Sequence, residues 1–174
     1  IDPWYLITGK DKESALGQVD TIGKRIFLAR YAMGMGREKL AERVGINAKT
    51  IQKWEIGKLN PPIYYLPLLA KVLDIDPWLL VTGMRKEVAL SDEVIIQRLK
   101  GRGITPDKKR KNGERIRLCR IVMGLTEEEL AQRIGITKQA LNYWENGKHL
   151  PTRRHLKILS KVLEIDIQLL KARH

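Results

Sequence analysis

Apolar residues recur every three to four positions in short segments along most of the chain, which is the period of an amphipathic helix. Glycines follow several of these segments, and Pro61-Pro62 prevents any helix from continuing through that point. Residues 20–83 therefore predict a domain of five helices. They run from about residue 21 to Gly34, over 37–44, over 48–55, over 63–73, and for a short stretch after Asp76.

The same pattern returns ninety positions later. The stretch 45–58 matches 135–148 at its glycines, its buried positions and its Trp-Glu pair, while the outward positions differ. Residues 113–174 accordingly predict a second five-helix domain. The sequence thus predicts an all-α protein with two tandem domains whose internal frame is shared and whose exposed positions are not.

A further repeat lies at the start of the chain. Residues 1–9 agree with residues 75–83, which end the first domain, at seven of nine positions. We therefore interpret 1–10 as the last helix of another domain upstream. The alternative is a single remnant helix that packs on the domain after it.

Residues 84–112 connect the two domains. Ser91 suits the N-cap of an amphipathic helix over 92–100. The glycines at 101 and 103 and a basic run then predict a mobile linker. The run either contacts phosphates or a minor groove, or is only a solvated connector, and it consists of Lys108, Lys109, Arg110 and Lys111.

The net charge limits the kinds of binding partner that we expect. The chain carries a formal charge of +13 and has a pI near 10.0, which points to a polyanion, most simply nucleic acid. An acidic membrane surface is the alternative, but no apolar run reaches the roughly 18 residues that span a bilayer. The single cysteine, Cys119, allows no intrachain disulfide and suits a reducing cytoplasm. We find no catalytic residue set, so we expect no enzyme, no cofactor and no metal site.

Two short helices joined by a glycine turn form a helix-turn-helix. On that motif each half resembles the Cro/C1-type (XRE-like) domain of phage repressors and related bacterial regulators. The resemblance implies a lambda-repressor-like fold for both five-helix domains, and for the truncated one upstream. The residues that carry it are Leu40, Ala41, Gly45, Ile46, Ile51, Trp54, Glu55, Gly57, Lys58 and Pro61, and their counterparts Leu130, Ala131, Gly135, Ile136, Leu141, Trp144, Glu145, Gly147, Lys148 and Pro151.

The resemblance also implies where DNA is contacted. Bases would be read in the major groove from the outward face of the second helix of each motif. Lysine donates to guanine, glutamine and asparagine pair with adenine, and alanine meets the thymine methyl group. The implied base-reading residues are Ala48, Lys49, Gln52 and Lys53 in the first domain and Lys138, Gln139, Asn142 and Tyr143 in the second.

Backbone contacts and a structural ion pair are implied in the same way. The family pairs an arginine of its first helix with the glutamate that ends the recognition helix, which here gives Arg30 with Glu55 and Arg120 with Glu145. Glu127 stands where the first domain has Arg37, and a carboxylate there repels phosphate, which puts DNA binding by the second domain in question. The implied backbone contacts are Arg37, Asn47, Lys58, Asn60, Thr137, Lys148, Arg153 and Arg154.

These features predict a sequence-specific, double-stranded DNA-binding transcription regulator, a repressor by default. Because the two recognition helices differ, we expect an asymmetric or multipartite site. The resemblance further implies a phage or mobile-element origin and a nucleoid-associated place in the bacterial cytoplasm. The resemblance is also compatible with a homodimer and with contact to RNA polymerase or a regulatory protein. The alternative is a protein-interaction module, such as an antitoxin or antirepressor, in which one or both domains no longer bind DNA.

Overall fold

The computed structural model describes residues 2–171; Ile1 and residues 172–174, which belong to the expected first and last domains, lie outside the described residues. Over the described range the regular elements are all helical, and the chain divides into two compact units between Lys86 and Glu87. The prediction of an all-α chain with tandem helix-turn-helix domains is confirmed.

Unit 1 contains the first five-helix domain and two short helices before it. Its core is formed by fully buried aliphatic side chains, one from each long helix, such as Ile26, Leu40, Ile51 and Leu69. Asp, Thr or Asn side chains cap several helix starts, and glycines with positive φ end others. The helices are α1 (Pro3–Thr8), α2 (Lys12–Gly17), α3 (Ile22–Ala32), α4 (Arg37–Val44), α5 (Ala48–Glu55), a 3₁₀ turn (Ile63–Tyr65) that leads into α6 (Leu66–Val72), and α7 (Pro77–Thr82).

The two leading helices pack on unit 1. Trp4 of α1 and Leu16 of α2 are buried in its core. Arg25 of α3 holds the surrounding helices together, because its guanidinium donates to the carbonyls of Leu16 at 3.2 Å and of Val81 at 3.2 Å. Burial lowers the pKa of Arg25, but these carbonyls satisfy its donors.

Unit 2 repeats the five-helix arrangement. Ile116, Leu130, Leu141 and Leu159 are fully buried in its helices. Its last helix is shorter than that of unit 1, and Leu170 anchors it in the core. The helices are α8 (Lys86–Ala89), which begins at the unit boundary, α9 (Asp92–Gly101), α10 (Lys108–Val122), α11 (Glu127–Ile134), α12 (Lys138–Glu145), α13 (Arg153–Val162) and α14 (Ile167–Leu170).

Much of the segment 84–112 is helical, where the sequence indicated a mobile linker. The helix expected over 92–100 is observed as α9, with Ile95 and Leu99 buried. The basic run forms the first turn of α10, which begins five residues before the expected domain start because Asp107 caps it. The buried carboxylate of Glu114 then binds Arg98 of α9 at 3.1 Å and Arg102, which directly follows this helix, and so ties α9 to α10.

Candidate nucleic-acid interface

In unit 1 the chain makes a tight turn between α4 and α5. Gly45 ends α4 with φ of +79°, a left-handed conformation that favours glycine. Asn47 then caps α5 by accepting a hydrogen bond from the Thr50 amide at 2.8 Å. Ile51 and Trp54 face the core, so the opposite face of this short helix points to solvent. The turn therefore presents α5 as the second helix of a helix-turn-helix.

The expected base-reading residues of unit 1 lie on that outward face. Lys49, Gln52 and Lys53 are exposed, and Ala48 is half-buried because it packs at the edge of the core. Two lysines and an amide give this face hydrogen-bond donors and positive charge. Hydrogen-bond donors can pair with base edges in a major groove, and positive charge attracts the phosphates that flank it.

A buried ionic cluster holds the end of α5. The carboxylate of Glu55 accepts from Arg30 of α3 at 2.6 and 3.3 Å and from Arg37 of α4 at 2.6 Å. Arg30 also donates to the carbonyl of Met35 at 2.7 Å. Since Glu55 and Arg30 are almost fully buried, the pair is part of the interior and not a surface salt bridge. One carboxylate thus fixes α5 relative to both helices before it.

Gly23 allows α3 to approach the end of the same helix. A Cβ atom added at Gly23 would lie 2.0 Å from the carbonyl oxygen of Trp54 and 3.2 Å from that of Glu55. Only glycine permits this approach without movement of the backbone. Gly113 repeats the feature in unit 2, where the corresponding distances to Trp144 and Glu145 are 2.3 and 2.5 Å.

The expected backbone contacts of unit 1 flank α5. Arg37 is half-exposed, and its Nε is already bound to Glu55, so only part of its guanidinium faces solvent. Asn47 is exposed while its side-chain oxygen serves as the cap. Lys58 and Asn60 are exposed just after the helix. All four therefore lie around one end or the other of the recognition helix.

Unit 2 has the same scaffold. Arg120 of α10 binds Glu145 at the end of α12, at 2.6 and 2.9 Å, and donates to the carbonyl of Leu125 at 2.9 Å. Burial opposes the charge of Arg120, but the hydrogen bond and the charge of Glu145 outweigh it and raise the pKa of Arg120. Charge from Glu127 adds to this effect. Glu127 thus lies near the Arg120–Glu145 ion pair of unit 2, whereas Arg37 takes part directly in the corresponding Arg30–Glu55 cluster of unit 1.

More side chains on the outward face of α12 than on that of α5 form ion pairs or hydrogen bonds within the protein. Lys138 forms an ion pair with Glu128 of α11, which raises the pKa of Lys138 and lowers that of Glu128. The side-chain oxygen of Asn142 accepts a hydrogen bond from Asn146 at 3.1 Å. Gln139, another of the four expected base-reading residues, is exposed. Within the described part of unit 2 its side chain forms no comparable ion pair or hydrogen bond.

Tyr143 is also engaged within unit 2. Its ring packs edge-on against His149, with ring centroids 5.4 Å apart, and the ammonium of Lys148 lies over it at 5.2 Å. Lys148 was expected to contact the DNA backbone. Both residues remain accessible enough to contact DNA, because Tyr143 is half-buried and Lys148 is exposed. Thr137 serves as the cap of α12, and Arg153 and Arg154 are exposed in the first turn of α13.

The start of α11 is acidic. Thr126 and Glu129 form a capping box, in which Glu129 accepts from the Thr126 amide at 2.7 Å. Glu127 and Glu128 fill the rest of the first turn. Carboxylates at a helix N-terminus stabilise the helix through its dipole. At this position they also place negative charge beside the recognition helix of unit 2.

The expected linker cations divide into two pairs. Lys108 and Lys109 are exposed at the start of α10. Arg110 donates to the carbonyl of Thr105 at 3.0 Å, and Lys111 binds Asp92 at 2.7 Å. Within residues 2–171, the first pair therefore presents its charge to solvent without such an ion pair or hydrogen bond.

Several structurally important residues were missed from the sequence. Arg115, the counterpart of Arg25, binds Asp92 and the carbonyl of Leu90. The hydrogen bonds from Lys111 and Arg115 lower the pKa of Asp92. The repeat itself contained the signal, since Arg25 and Arg115 occupy equivalent positions, but some of their partners, such as Leu16 and Asp92, lie outside the five-helix frame. Glu114 offered no such signal, because its counterpart Lys24 is an exposed residue paired with Asp20.

Other kinds of site were also sought. Among residues 2–171 no group of three or more His, Cys, Asp and Glu side chains is placed to hold a metal ion. None of the described helices is both long enough and apolar enough to cross a membrane.

Fold and interface together define a protein with two tandem helix-turn-helix units. The model of the helix-turn-helix family matches residues 28–77 and again residues 116–170, which together exceed half of the chain. The chain therefore belongs to the helix-turn-helix family, and the resemblance to Cro/C1-type domains is confirmed.

Two curated relatives share part of the sequence. The HTH-type transcriptional activator BcrR of Enterococcus faecalis is 33% identical over 54 residues, which are 31% of this chain and 26% of that protein. An SPbeta prophage-derived uncharacterized HTH-type transcriptional regulator, YonR, of Bacillus subtilis (strain 168) is 36% identical over 63 residues, which are 36% of this chain and 58% of the relative. The chain thus spans between about a quarter and somewhat over half of their lengths. No solved structure matches the chain.

Proposed function

We propose that this protein is a double-stranded DNA-binding transcription regulator, and that unit 1 supplies most of its sequence recognition. The observation that carries the proposal is the difference between the two recognition helices. The outward face of α5 presents Lys49, Gln52 and Lys53 to solvent, whereas Lys138 on α12 is paired with Glu128. The relatives are described as transcriptional regulators, which supports the same function.

The DNA site should be asymmetric or multipartite. Both units keep the buried Arg-Glu pair and the close glycine that position the recognition helix. The exposed residues on the two helices differ in charge, size and hydrogen-bonding groups, so each unit would favour a different subsite. Two linked modules also bind more tightly than either alone, provided that both subsites are reached at once.

Repression by occlusion of RNA polymerase is the proposed outcome of binding. A protein that covers a promoter needs no further contact to block transcription, whereas activation needs a surface for polymerase. The acidic first turn of α11 is a candidate for such a surface. Transcription in vitro from a promoter that carries the bound sequence separates the two outcomes, because repression lowers the amount of transcript and activation raises it.

Selection of bound sequences from a random double-stranded DNA pool tests the main proposal. We expect Lys49→Ala to change the preferred base at one or more positions and to reduce discrimination by about 1–3 kcal/mol. Lys71→Ala is the matched control, since it removes one exposed lysine at the end of α6 and should leave the base preference unchanged. If no sequence is enriched, or if Lys49→Ala leaves the base preference unaltered, the assignment of Lys49 as a base-reading residue is overturned.

The ion pair in unit 2 gives a second test. Glu128→Gln should break the ion pair of Lys138 and so strengthen specific DNA binding. The slope of the logarithm of DNA affinity against the logarithm of salt concentration should then become steeper by an amount that corresponds to about one released counterion. Glu38→Gln is the control, because Glu38 occupies the equivalent position in unit 1, where Ala48 stands in the place of Lys138. Equal effects of the two substitutions would show that only net charge matters.

A protein-interaction role for unit 2 is the second candidate. It is favoured by the three glutamates in the first turn of α11, which would repel a DNA backbone at that position. In that case Gln139→Ala would leave the DNA preference unchanged, and unit 2 would form a stable, salt-resistant complex with a protein instead.

A further inference from the structure

One face of α1 is apolar and uncovered. Tyr5, Leu6 and Ile7 are 62%, 68% and 41% exposed, whereas Trp4 of the same helix is 5% exposed and lies in the core of unit 1. A six-residue helix that buries one side chain and exposes three large apolar ones in a row is unusual for a protein surface. What covers this face is indicated by the second copy of the same helix.

Helix α7 repeats α1 in sequence and in backbone detail. Residues 3–9 and 77–83 share five of seven positions. Asp2 and Asp76 cap the two helices at 2.9 and 2.8 Å, and Gly9 and Gly83 end them with φ of +69° and +73°. Their threonines also donate to the Trp carbonyl four residues earlier at the same 2.7 Å. The two helices are therefore the same structural element.

Two of the three positions that are exposed in α1 are buried in α7, and the third, Val81, is half-buried there. Leu79 and Leu80, the counterparts of Tyr5 and Leu6, are 6% and 0% exposed and lie in the core of unit 1. Helices α3 and α6 pack against α7 there. Arg25 of α3 also donates to the carbonyls of Leu80 and Val81 at 3.4 and 3.2 Å. In α7 this face is thus the contact with the helix-turn-helix domain that the helix completes.

We propose that the face formed by Tyr5, Leu6 and Ile7, the α1 face, is covered by a further helix-turn-helix domain that precedes it in the same polypeptide. Helix α1 is then the last helix of that domain, and Trp4 joins it to unit 1. The covering domain presents an aliphatic groove and an arginine that reaches the carbonyls of Leu6 and Ile7.

A second copy of this chain fits the α1 face less well. Within the described residues, the grooves that receive such a helix are filled in both units, by α7 in unit 1 and by α14, through Leu170, in unit 2. Three side chains on one short helix also bury far less than the roughly 1,200 Å² of a stable interface between separate molecules. A domain in the same polypeptide avoids the entropic cost of association and needs no such area.

The direct experiment is to determine the natural coding sequence upstream of the codon for Ile1. The expected result is an in-frame sequence for a five-helix unit of about 60 residues that ends at this helix, with an arginine in its first helix at the position of Arg25. A start codon within a few residues of Ile1, or an upstream sequence without that pattern, overturns the proposal.

A substitution in the longer polypeptide tests the contact itself. Leu6→Ala should lower the melting temperature of the upstream domain by at least about 10 °C, as Leu80→Ala should for unit 1. In the 174-residue chain, Leu6→Ala should leave the melting of both units unchanged. An upstream domain that melts identically with and without Leu6→Ala would show that the α1 face is not its contact, whatever DNA the protein binds.

Discussion

Replacement of Gly23 by alanine is the sharpest test of how the recognition helix is positioned. The new methyl carbon would lie 2.0 Å from the carbonyl oxygen of Trp54. A tolerable carbon–oxygen contact is near 3.3 Å, so α3 and the end of α5 would have to separate by about 1 Å. The obstructing atom belongs to the backbone, and no side-chain rotation relieves the clash.

The expected cost follows from two opposing effects. Overpacking of a well-packed interior costs about 3 kcal/mol at the upper end of its usual range, and a backbone clash belongs there. Alanine in a helix regains about 1 kcal/mol relative to glycine. The net loss is about 2 kcal/mol, which lowers the melting temperature of a unit of this size by roughly 8–16 °C.

Thermal unfolding followed by circular dichroism measures this loss, and hydrogen exchange of the α5 amides assigns it to unit 1. Gly101→Ala is the control, because that glycine ends a helix with no atom within 4 Å of the added Cβ. Gly113→Ala should have the same effect as Gly23→Ala, but in unit 2. DNA affinity of Gly23→Ala should fall even where the protein is fully folded, since α5 is displaced. Equal melting temperatures for Gly23→Ala and Gly101→Ala would refute the reasoning.

Three further predictions concern charge. Glu145→Gln should destabilise unit 2 by about 3–5 kcal/mol, because it leaves Arg120 buried without its carboxylate, and a denaturant titration measures the loss. Asp92→Asn should cost no more than about 1 kcal/mol at neutral pH, since Asp92 is largely exposed. The folded-state pKa of Asp92 is lowered, so its contribution is present above the unfolded pKa of about 3.9 and disappears as the pH falls through the folded value; the two proteins should therefore unfold alike in strong acid. The logarithm of the DNA affinity should fall linearly with the logarithm of salt concentration, with a slope proportional to the number of phosphates neutralised, and an affinity independent of salt would contradict a nucleic-acid interface.

The five-helix frame of each unit was predictable because its signals are local. Helical periodicity, capping residues such as Asn47 and Thr126, and glycines that require positive φ such as Gly45 each act over a few residues. The repeat strengthened every one of these signals, since a second copy in register is improbable by chance. The outward position of Lys49 followed from the same helical period.

The helices outside that frame were harder to predict. Residues 12–17 and the first turn of α10 are helical with caps from Asp11 and Asp107, but their composition is polar and basic, as in a linker. Their order depends on contacts with residues distant in sequence. Leu16 inserts into the core of unit 1, and Glu114 binds Arg98 of α9 and Arg102 directly after it.

The sequence by itself determined the helix-turn-helix fold, its duplication and the residues on each recognition helix, because these depend on short-range periodicity and turn chemistry. Only the tertiary structure decided which of those residues have their charge available. Lys49 and Lys138 both stand at the start of a recognition helix, yet Lys138 meets a carboxylate ten residues away in sequence. It likewise decided that Arg37 supports Glu55, and that the α1 face is exposed while most of its copy in α7 is buried. The physical reason is that ion pairing and burial are properties of side chains brought together by packing, and neighbouring residues in sequence do not specify them.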